Sequence, residues 1–344
     1  MPARLICSAQ HSLNGTAKNK GYWNISSAAQ FILRPFHRVS SLLGKVSGIS
    51  PAFLVLLFLS SLFSYVPIGI AASAGAPLRL ADDRGHSIYL ERPARRIISL
   101  SPSITELVYA AGAGDKLVGV SIQSDYPAFG RSIPEIGGVS GLDLERLIML
   151  RPDLVIAWGS GNVVDIDRLE KLGLPVFVTE AARLEDIPRL LRLIGQVAAT
   201  PVEAESSALS FETELRMIKQ SNAGRQRISV FLLIWSQPLM TVNGDHIISD
   251  IINLCGGINI FATASTLAPV ISAENLLQAD PQVIIGGVLP ESGAGALWQR
   301  FPQMRAVRNK HLFFVHPDLL HRQTPRMLQA VKEVCMYLDQ ARLE

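Results

Sequence analysis

Residues 144–156 read LERLIMLRPDLVI, and residues 273–285 read AENLLQADPQVII. In both stretches a glutamate stands seven residues before a proline, with apolar residues between them, and a β-branched run follows the proline. Each stretch therefore predicts a short helix that leads into a strand buried on both faces. TELVYAAG at residues 105–112 and SDIINLCG at residues 249–256 extend the repeat. We interpret the chain as two similar α/β lobes, the alternative being chance similarity between ordinary strand–helix units.

The segments around the first repeat alternate between strands and helices. Strands are predicted at residues 96–100, 118–120, 154–157 and 176–178, and helices at 103–111, at 142–150 and before Gly173. A short hairpin is expected over residues 78–90, with its turn at residues 82–85. Such βαβα alternation is typical of parallel sheets covered by helices, so we predict the α/β class with two Rossmann-like lobes.

The middle of the chain has helical periodicity and almost no strand signal. Thr200, Pro201 and Glu203 have the order of a capping box, with proline at the first helical position. The helix that they open is expected to run to about Asn222, and roughly 22 residues at 1.5 Å each give about 33 Å. We therefore predict a first lobe at residues 75–199, a linking helix at 200–223 and a second lobe at 224–344.

Residues 1–74 have the composition of a leader. They carry six Lys or Arg and no Asp or Glu, which leaves 26 basic against 29 acidic residues in the rest of the chain. The apolar run from Ala52 to Ala74 is closed by small residues, a pattern typical of a signal peptide cut after Ala74 or Ala76. An uncleaved membrane anchor is the alternative. The charge of the remaining chain does not favour a nucleic-acid partner.

Two cysteines lie beyond the leader, Cys255 and Cys335. An even number of cysteines in an exported chain predicts a disulfide bond, because the compartment outside the cytoplasm is oxidising. Two buried thiols are the alternative.

The sequence contains none of the catalytic motifs that define common enzyme classes. A phosphate loop, a zinc-binding HExxH, a GxSxG elbow and paired metal-binding cysteines are all absent. A metal-handling enzyme would need the C-terminal group His311, His316, Asp318 and His321 to converge on one ion. The alternative is that these are loop residues, so we assign no catalytic and no metal-ligating residue.

Aromatic and polar residues follow several predicted strands. In open α/β sheets ligands bind beyond the carboxyl ends of the strands, so such residues are candidates for ligand contacts. The candidates are Asp125, Tyr126, Trp158, Trp235 and Arg322.

Glu145 and Glu274 occupy matching places in the two repeats, each in the first turn of a predicted helix. A helix N-terminus favours negative charge, so each glutamate could simply stabilise its own helix. Two of them at equivalent sites instead predict a pair of acidic projections that dock on a symmetric partner with basic pockets.

At these residues the sequence resembles the periplasmic substrate-binding proteins of ABC importers in which one long helix joins two lobes. That class carries cobalamin, haem and ferric siderophores. The matching stretches extend over most of the chain beyond the leader, at residues 98–107, 124–127, 144–158, 255–261 and 324–326.

The resemblance implies a monomeric, non-enzymatic periplasmic protein that holds cobalamin or a related corrinoid in a cleft between its lobes. It implies that Tyr126 and Trp158 line the cleft, that Glu145 and Glu274 engage arginines of an inner-membrane permease dimer with its ATPase, and that the two cysteines are bridged. Haem and ferric siderophores are the alternative ligands, and Tyr126 or His321 would then be the candidate axial ligand of haem.

Overall fold

The structure is a computed structural model and describes residues 77–138, 141–288 and 294–343. The expected leader at residues 1–74, with its signal peptide, lies outside these residues. Within the described ranges no helix is both long and apolar enough to cross a bilayer.

The first lobe is built on a four-stranded parallel sheet with the strand order β4-β3-β7-β8. A separate antiparallel hairpin, β1 with β2, precedes it as predicted. The elements of the first lobe are β1 (Leu78–Ala81), β2 (Ser87–Leu90), β3 (Ile97–Ser99), α1 (Pro102–Ala110), β4 (Leu117–Val120), β5 (Gly137–Gly138), β6 (Gly141–Leu142), α2 (Leu144–Met149), β7 (Leu154–Trp158), α3 (Val163–Lys171), β8 (Val176–Thr179) and α4 (Asp186–Ala198).

The second lobe repeats this plan with the strand order β12-β9-β13-β14, again fully parallel. A long helix precedes it. The remaining elements are α5 (Pro201–Ser221), β9 (Ile228–Leu233), β10 (Trp235–Ser236), β11 (Leu239–Met240), α6 (Ile247–Leu254), β12 (Gly257–Asn259), α7 (Ala273–Ala279), β13 (Val283–Gly286), α8 (Ala294–Trp298), α9 (Arg305–Arg308), β14 (Leu312–Phe314), α10 (Pro317–Leu320) and α11 (Met327–Leu343).

The predicted repeat is confirmed as a structural repeat. The stretch at residues 144–156 forms α2 and β7, and the stretch at 273–285 forms α7 and β13. Both strands occupy the third position of their sheet, and Leu154, Val155, Val283 and Ile285 are fully buried. The continuous apolar runs therefore form central strands covered on both faces.

The long helix α5 packs on α4 and α1 of the first lobe and on α11 of the second. Its predicted capping box is wrong. The Thr200 hydroxyl donates to the carbonyl oxygen of Ala111 at 2.6 Å and caps no N–H of α5. Ala111 lies at the carboxyl end of α1, where helix carbonyls lack a partner within the helix, so the hydroxyl satisfies an acceptor of the neighbouring helix instead. Glu203 covers Gly112, where an added Cβ would lie 2.5 Å from the Glu203 Cβ.

The turn of the β1–β2 hairpin covers the outer edge of β8. The Asp83 N–H donates to the Val178 carbonyl oxygen at 3.0 Å, and the Asp82 carboxylate accepts the Val178 N–H at 3.4 Å. The Asp83 carboxylate accepts the Glu180 N–H at 2.6 Å. Backbone groups that an edge strand would leave unpaired are thus bonded to an acidic turn.

The predicted disulfide is confirmed. Cys255 follows α6 and Cys335 lies in α11, and their sulfur atoms are bonded. The bond joins the carboxyl end of α6 to α11, and both helices pack on strands of the second sheet.

Candidate ligand cleft

Three loops of the first lobe meet beyond the carboxyl edge of its sheet. They follow β4, β3 and β7, which are neighbours in the sheet. The Asn162 amide, after β7, donates to the Leu100 carbonyl oxygen after β3 at 3.5 Å. Tyr126, after β4, and Trp158, at the end of β7, therefore lie at the same sheet edge on either side of the β3 loop.

A network of buried hydroxyl groups lies beneath this edge. The Thr105 hydroxyl of α1 donates to Ser124 Oγ at 3.0 Å and is also bonded to Ser99 of β3. Ser121 and Ser124 are hydrogen-bonded to each other at 3.2 Å. Because these polar side chains are buried, satisfying them fixes the start of the loop that carries Asp125 and Tyr126.

The two lobes meet at Glu106, a residue of α1 that is only 3% exposed. Its carboxylate accepts hydrogen bonds from Arg322 at 3.0 Å, from Arg326 at 3.0 Å and from the Thr324 hydroxyl at 2.9 Å. All three donors belong to the segment that follows β14 in the second lobe. We call Glu106, Arg322, Thr324 and Arg326 the inter-lobe cluster.

Arg322 also connects the inter-lobe cluster to the predicted ligand residues. It donates to Asp125 Oδ1 at 2.9 Å and to the Gln123 carbonyl oxygen at 3.3 Å, and it forms an ion pair with Asp318 at 2.9 Å. The carboxyl edges of the two sheets therefore face each other where the loop after β4 meets the segment after β14. The structure thus brings the predicted residues Asp125 and Arg322 together.

Two opposing effects set the pKa values of these carboxylates. Burial raises the pKa of Glu106, and the bonds from Arg322, Arg326 and Thr324 only partly counter that effect. Partial burial also acts to raise the pKa of Asp125, but the hydrogen bond and positive charge of Arg322 outweigh it and lower that pKa. The more exposed carboxylate is thus the more strongly held in its charged form.

Tyr126 lies beside the inter-lobe cluster. Its side chain is 47% exposed, and the guanidinium carbon of Arg326 lies 3.9 Å from the centre of its ring. This cation–π contact covers part of one ring face and orients the ring. The exposed remainder is available for a flat apolar ligand.

Trp158 is partly buried and packs against the core. Its indole N–H donates to Glu180 Oε1 at 3.0 Å, and Glu180 also accepts the Ser160 N–H at 2.8 Å. Gly161 lies against the ring, and an added Cβ there would lie 2.0 Å from the Trp158 Cε3 atom. The indole is therefore held in place from two sides.

Trp235 lies in the second lobe, directly beyond β9, and is 58% exposed. Its indole N–H donates to the Gln237 carbonyl oxygen at 2.8 Å within the β10–β11 hairpin, where Trp235 pairs with Met240. Met240 in turn bridges to Val270, another exposed apolar residue. An apolar surface thus lies at the carboxyl edge of the second sheet.

The C-terminal histidine group does not converge on one point. His311 Nδ1 is bonded to the Gln282 carbonyl oxygen, whereas His316 Nδ1 accepts the Asp318 N–H at the start of α10. His321 Nε2 is bonded to the Gly287 carbonyl oxygen at 2.6 Å. In the described part of the chain no three His, Cys, Asp or Glu side chains are arranged to hold a metal ion.

Glu145 and Glu274 are each the second residue of their helices, and both are exposed. Other side chains cap these helices, because Asp143 accepts the Arg146 N–H and Ser272 accepts the Asn275 N–H. Glu274 interacts with its own backbone N–H and with Ser272, which lowers its pKa. Across the residues that the structure describes, neither glutamate forms an ion pair with a basic side chain.

Glu106, Thr324 and Arg326 were not among the residues that the sequence patterns predicted to take part in ligand binding. All three lie in stretches that carried the family resemblance. The signal in the sequence was a glutamate on the buried face of a helix otherwise lined by Ile104, Leu107 and Val108. A buried carboxylate requires a partner, and that requirement pointed to a distant cation.

Two parallel-sheet lobes, one long connecting helix and facing carboxyl edges with exposed aromatic side chains define the class of two-lobed substrate-binding proteins. The chain belongs to the periplasmic binding protein family, whose model matches residues 97–319.

Proteins that are named for the ligand they bind are similar to this chain at about one third sequence identity. A vitamin B12-binding protein of Vibrio parahaemolyticus is 34% identical over 250 residues, which cover 72% of this chain and 90% of the relative. The crystal structure of the periplasmic vitamin B12 binding protein BtuF of Vibrio cholerae superposes with a TM-score of 0.69 at 34% identity, covering 73% of this chain and 99% of that one.

The fold is also shared with proteins named for another ligand. The periplasmic heme binding protein HutB of Vibrio cholerae has a TM-score of 0.62 at 21% identity, covering 71% of this chain and 98% of that one. At that identity the similarity describes the fold alone.

Proposed function

We propose that this protein is the substrate-binding component of an ABC importer, that it binds cobalamin or a related corrinoid between its lobes, and that it delivers this ligand to a permease. The observation that carries the proposal is the meeting of the two sheet edges at the inter-lobe cluster, with exposed aromatic rings on both lobes. The relatives named vitamin B12-binding at 34% identity support the choice of ligand.

The ligand site contains Tyr126, Trp158, Trp235, Asp125 and Arg322. Rings from both lobes bury the faces of a flat macrocycle, and this apolar contact supplies most of the affinity. The paired side chains of Asp125 and Arg322 offer a few polar groups that orient the amide-bearing edge of a corrinoid. These residues bind and orient cargo, so the protein has no catalytic role and needs no resident cofactor.

Haem is the second candidate ligand. The exposed Tyr126 ring favours it, because a phenol at the cleft is a possible axial ligand of iron. His321 is less suitable, since its Nε2 atom is already bonded to Gly287.

Glu145 and Glu274 are the proposed permease contacts. They project from equivalent helices of the two lobes, and both carboxylates are exposed and available to arginines of a dimeric permease. The protein acts as a monomer with lobes at residues 75–199 and 224–344 and a linking helix at 200–223. It reaches the periplasm through the leader at residues 1–74.

A titration with cyanocobalamin and, separately, with haemin tests the ligand. Tryptophan fluorescence and the visible absorption of each ligand are followed. Tyr126→Ala is expected to weaken cobalamin binding about tenfold, the loss of one well-packed aromatic contact. Tyr89→Ala is the matched control, because Tyr89 is similarly exposed but lies on the β1–β2 hairpin.

Each result of the titration decides between the candidates. Saturable cobalamin binding that Tyr126→Ala weakens and Tyr89→Ala leaves unchanged supports the corrinoid site. A shifted haemin Soret band without a cobalamin response would replace cobalamin with haem. Equal losses in the two variants would remove Tyr126 from the site.

The docking role needs a different experiment. The double variant Glu145→Gln/Glu274→Gln is expected to bind cobalamin normally and to lose binding to the permease complex in lipid nanodiscs. The double variant Glu91→Gln/Asp115→Asn, which removes two exposed charges elsewhere, controls for net charge. Retained permease binding by the first variant would contradict the docking assignment.

A further inference from the structure

Glu106 and Asp250 occupy equivalent positions in the two lobes. The repeat of residues 105–112 over residues 249–256 places one on the other, in α1 and in α6. Each carboxylate reaches the opposite lobe. Glu106 binds the segment after β14, whereas Asp250 accepts the Leu184 N–H at 3.0 Å after β8. Because β8 and β14 are equivalent edge strands, the lobes exchange matching acidic contacts.

The two contacts differ in strength. Glu106 is buried and accepts bonds from two guanidinium groups and a hydroxyl. The Asp250 side chain is 22% exposed, and its nearest cation, Arg183, stands at 3.8 Å, beyond hydrogen-bond distance. Three hydrogen bonds, two of them from cations, hold the Glu106 carboxylate, whereas one backbone N–H binds that of Asp250, so the Glu106 contact is the more rigid.

Within the described part of the chain, the Glu106 contact alone extends to the candidate ligand residues. Arg322 binds Asp125 at 2.9 Å, and Arg326 lies 3.9 Å from the centre of the Tyr126 ring. Both guanidinium groups are anchored by the same carboxylate oxygen, Glu106 Oε1. In the same ranges Arg183 and Leu184, the partners of Asp250, form no hydrogen bond or ion pair with a proposed ligand residue.

We propose that Glu106 is a positioning residue of the ligand site, which fixes Arg322 and Arg326 and through them sets the orientation of Asp125 and Tyr126. The role of Glu106 in affinity rests on the proposed function, because it concerns the same cleft. Asp250, at the equivalent place, holds the lobes together without orienting any ligand contact.

The test compares Glu106→Gln with Asp250→Asn, two substitutions that remove a charge and keep the side-chain shape. Protein purified after expression of the full chain is titrated with cyanocobalamin, and amide hydrogen exchange is measured without ligand. Glu106→Gln is expected to weaken binding about tenfold, since two guanidinium groups lose their shared anion. Exchange should accelerate in residues 121–126 and 322–326 and stay unchanged in the central strands β3 and β9.

Asp250→Asn is expected to lower the unfolding temperature and to leave cobalamin affinity within about twofold of the wild type. Arg326→Met provides a second variant that keeps Glu106 paired with Arg322 and Thr324. It should weaken binding and accelerate exchange around Tyr126 only. A structural role alone would change the unfolding temperature of these variants and not their affinity.

Several outcomes would overturn the proposal. One is a Glu106→Gln protein that unfolds earlier yet binds cobalamin as the wild type does, with unchanged exchange at residues 121–126. Another is an equal loss of affinity in Asp250→Asn. If the wild type binds no cobalamin, the proposed ligand is wrong, and exchange in the ligand-free protein still decides whether Glu106 orders the segment around Tyr126.

Discussion

His246 makes the stability of the protein depend on pH. It precedes α6, and burial, with a smaller effect of His321, lowers its pKa to about 4. Its Nδ1 atom accepts the Ile248 N–H at 3.2 Å and so caps the helix. Asparagine also accepts an N–H at this position and does not titrate, so we predict that His246→Asn keeps the cap and removes the contribution of this side chain to the pH dependence.

The size of the effect follows from the two pKa values of His246. An unfolded histidine takes up a proton near pH 6.5, whereas the folded one stays neutral to about pH 4. The unfolded chain therefore binds more protons between these values, and the free energy of unfolding falls as the pH falls. At about 1.4 kcal/mol per pKa unit, His246 accounts for a loss of about 3 kcal/mol by pH 4.

Urea unfolding followed by circular dichroism at several pH values from 7 to 4 measures this loss. As the pH falls from 7 to 4, the unfolding free energy of His246→Asn should rise steadily relative to that of the wild type. His86→Asn, which replaces an exposed histidine before β2, should leave the wild-type slope unaltered. Parallel curves for wild type and His246→Asn would show that this histidine does not cause the acid sensitivity.

Two further variants test the packing. Replacing Cys255 and Cys335 together by serine should lower the unfolding free energy by about 4 kcal/mol, as expected for opening a cross-link with a sequence separation of 80. Urea unfolding measures it, and a loss below about 1 kcal/mol would contradict that expectation. Gly161→Ala should displace the Trp158 indole and shift its fluorescence, whereas Gly295→Ala, whose added Cβ meets no atom within 4 Å, should not. An unchanged spectrum in Gly161→Ala would show that the loop adapts.

The lobes were predictable because the burial of their central strands requires local runs of apolar residues in the sequence. Central parallel strands are covered on both faces, so residues 154–157 and 283–285 had to be apolar throughout, and short helices with matching glutamates preceded them. The order of the strands in each sheet could not be predicted from such local runs, because helix packing across the sheet decides which strands pair.

The partners that meet in the inter-lobe cluster were not predictable from local pattern. Glu106 and Arg322 are 216 positions apart, and neither has neighbours that indicate the other. Thr200 illustrates the same limit on a smaller scale. Its sequence neighbours have the order of a capping box, but its hydroxyl donates to a carbonyl group that tertiary packing brings close.

The acidic turn between β1 and β2 has a consequence for association between copies of the chain. β8 is one of the two edge strands of the first sheet, and a strand from another molecule adds to such an edge by pairing with its unbonded N–H and carbonyl groups. Asp82 and Asp83 already bind Val178 and Glu180 there. An incoming strand would first have to break these bonds, so this edge resists growth into intermolecular β-sheet during refolding at high concentration.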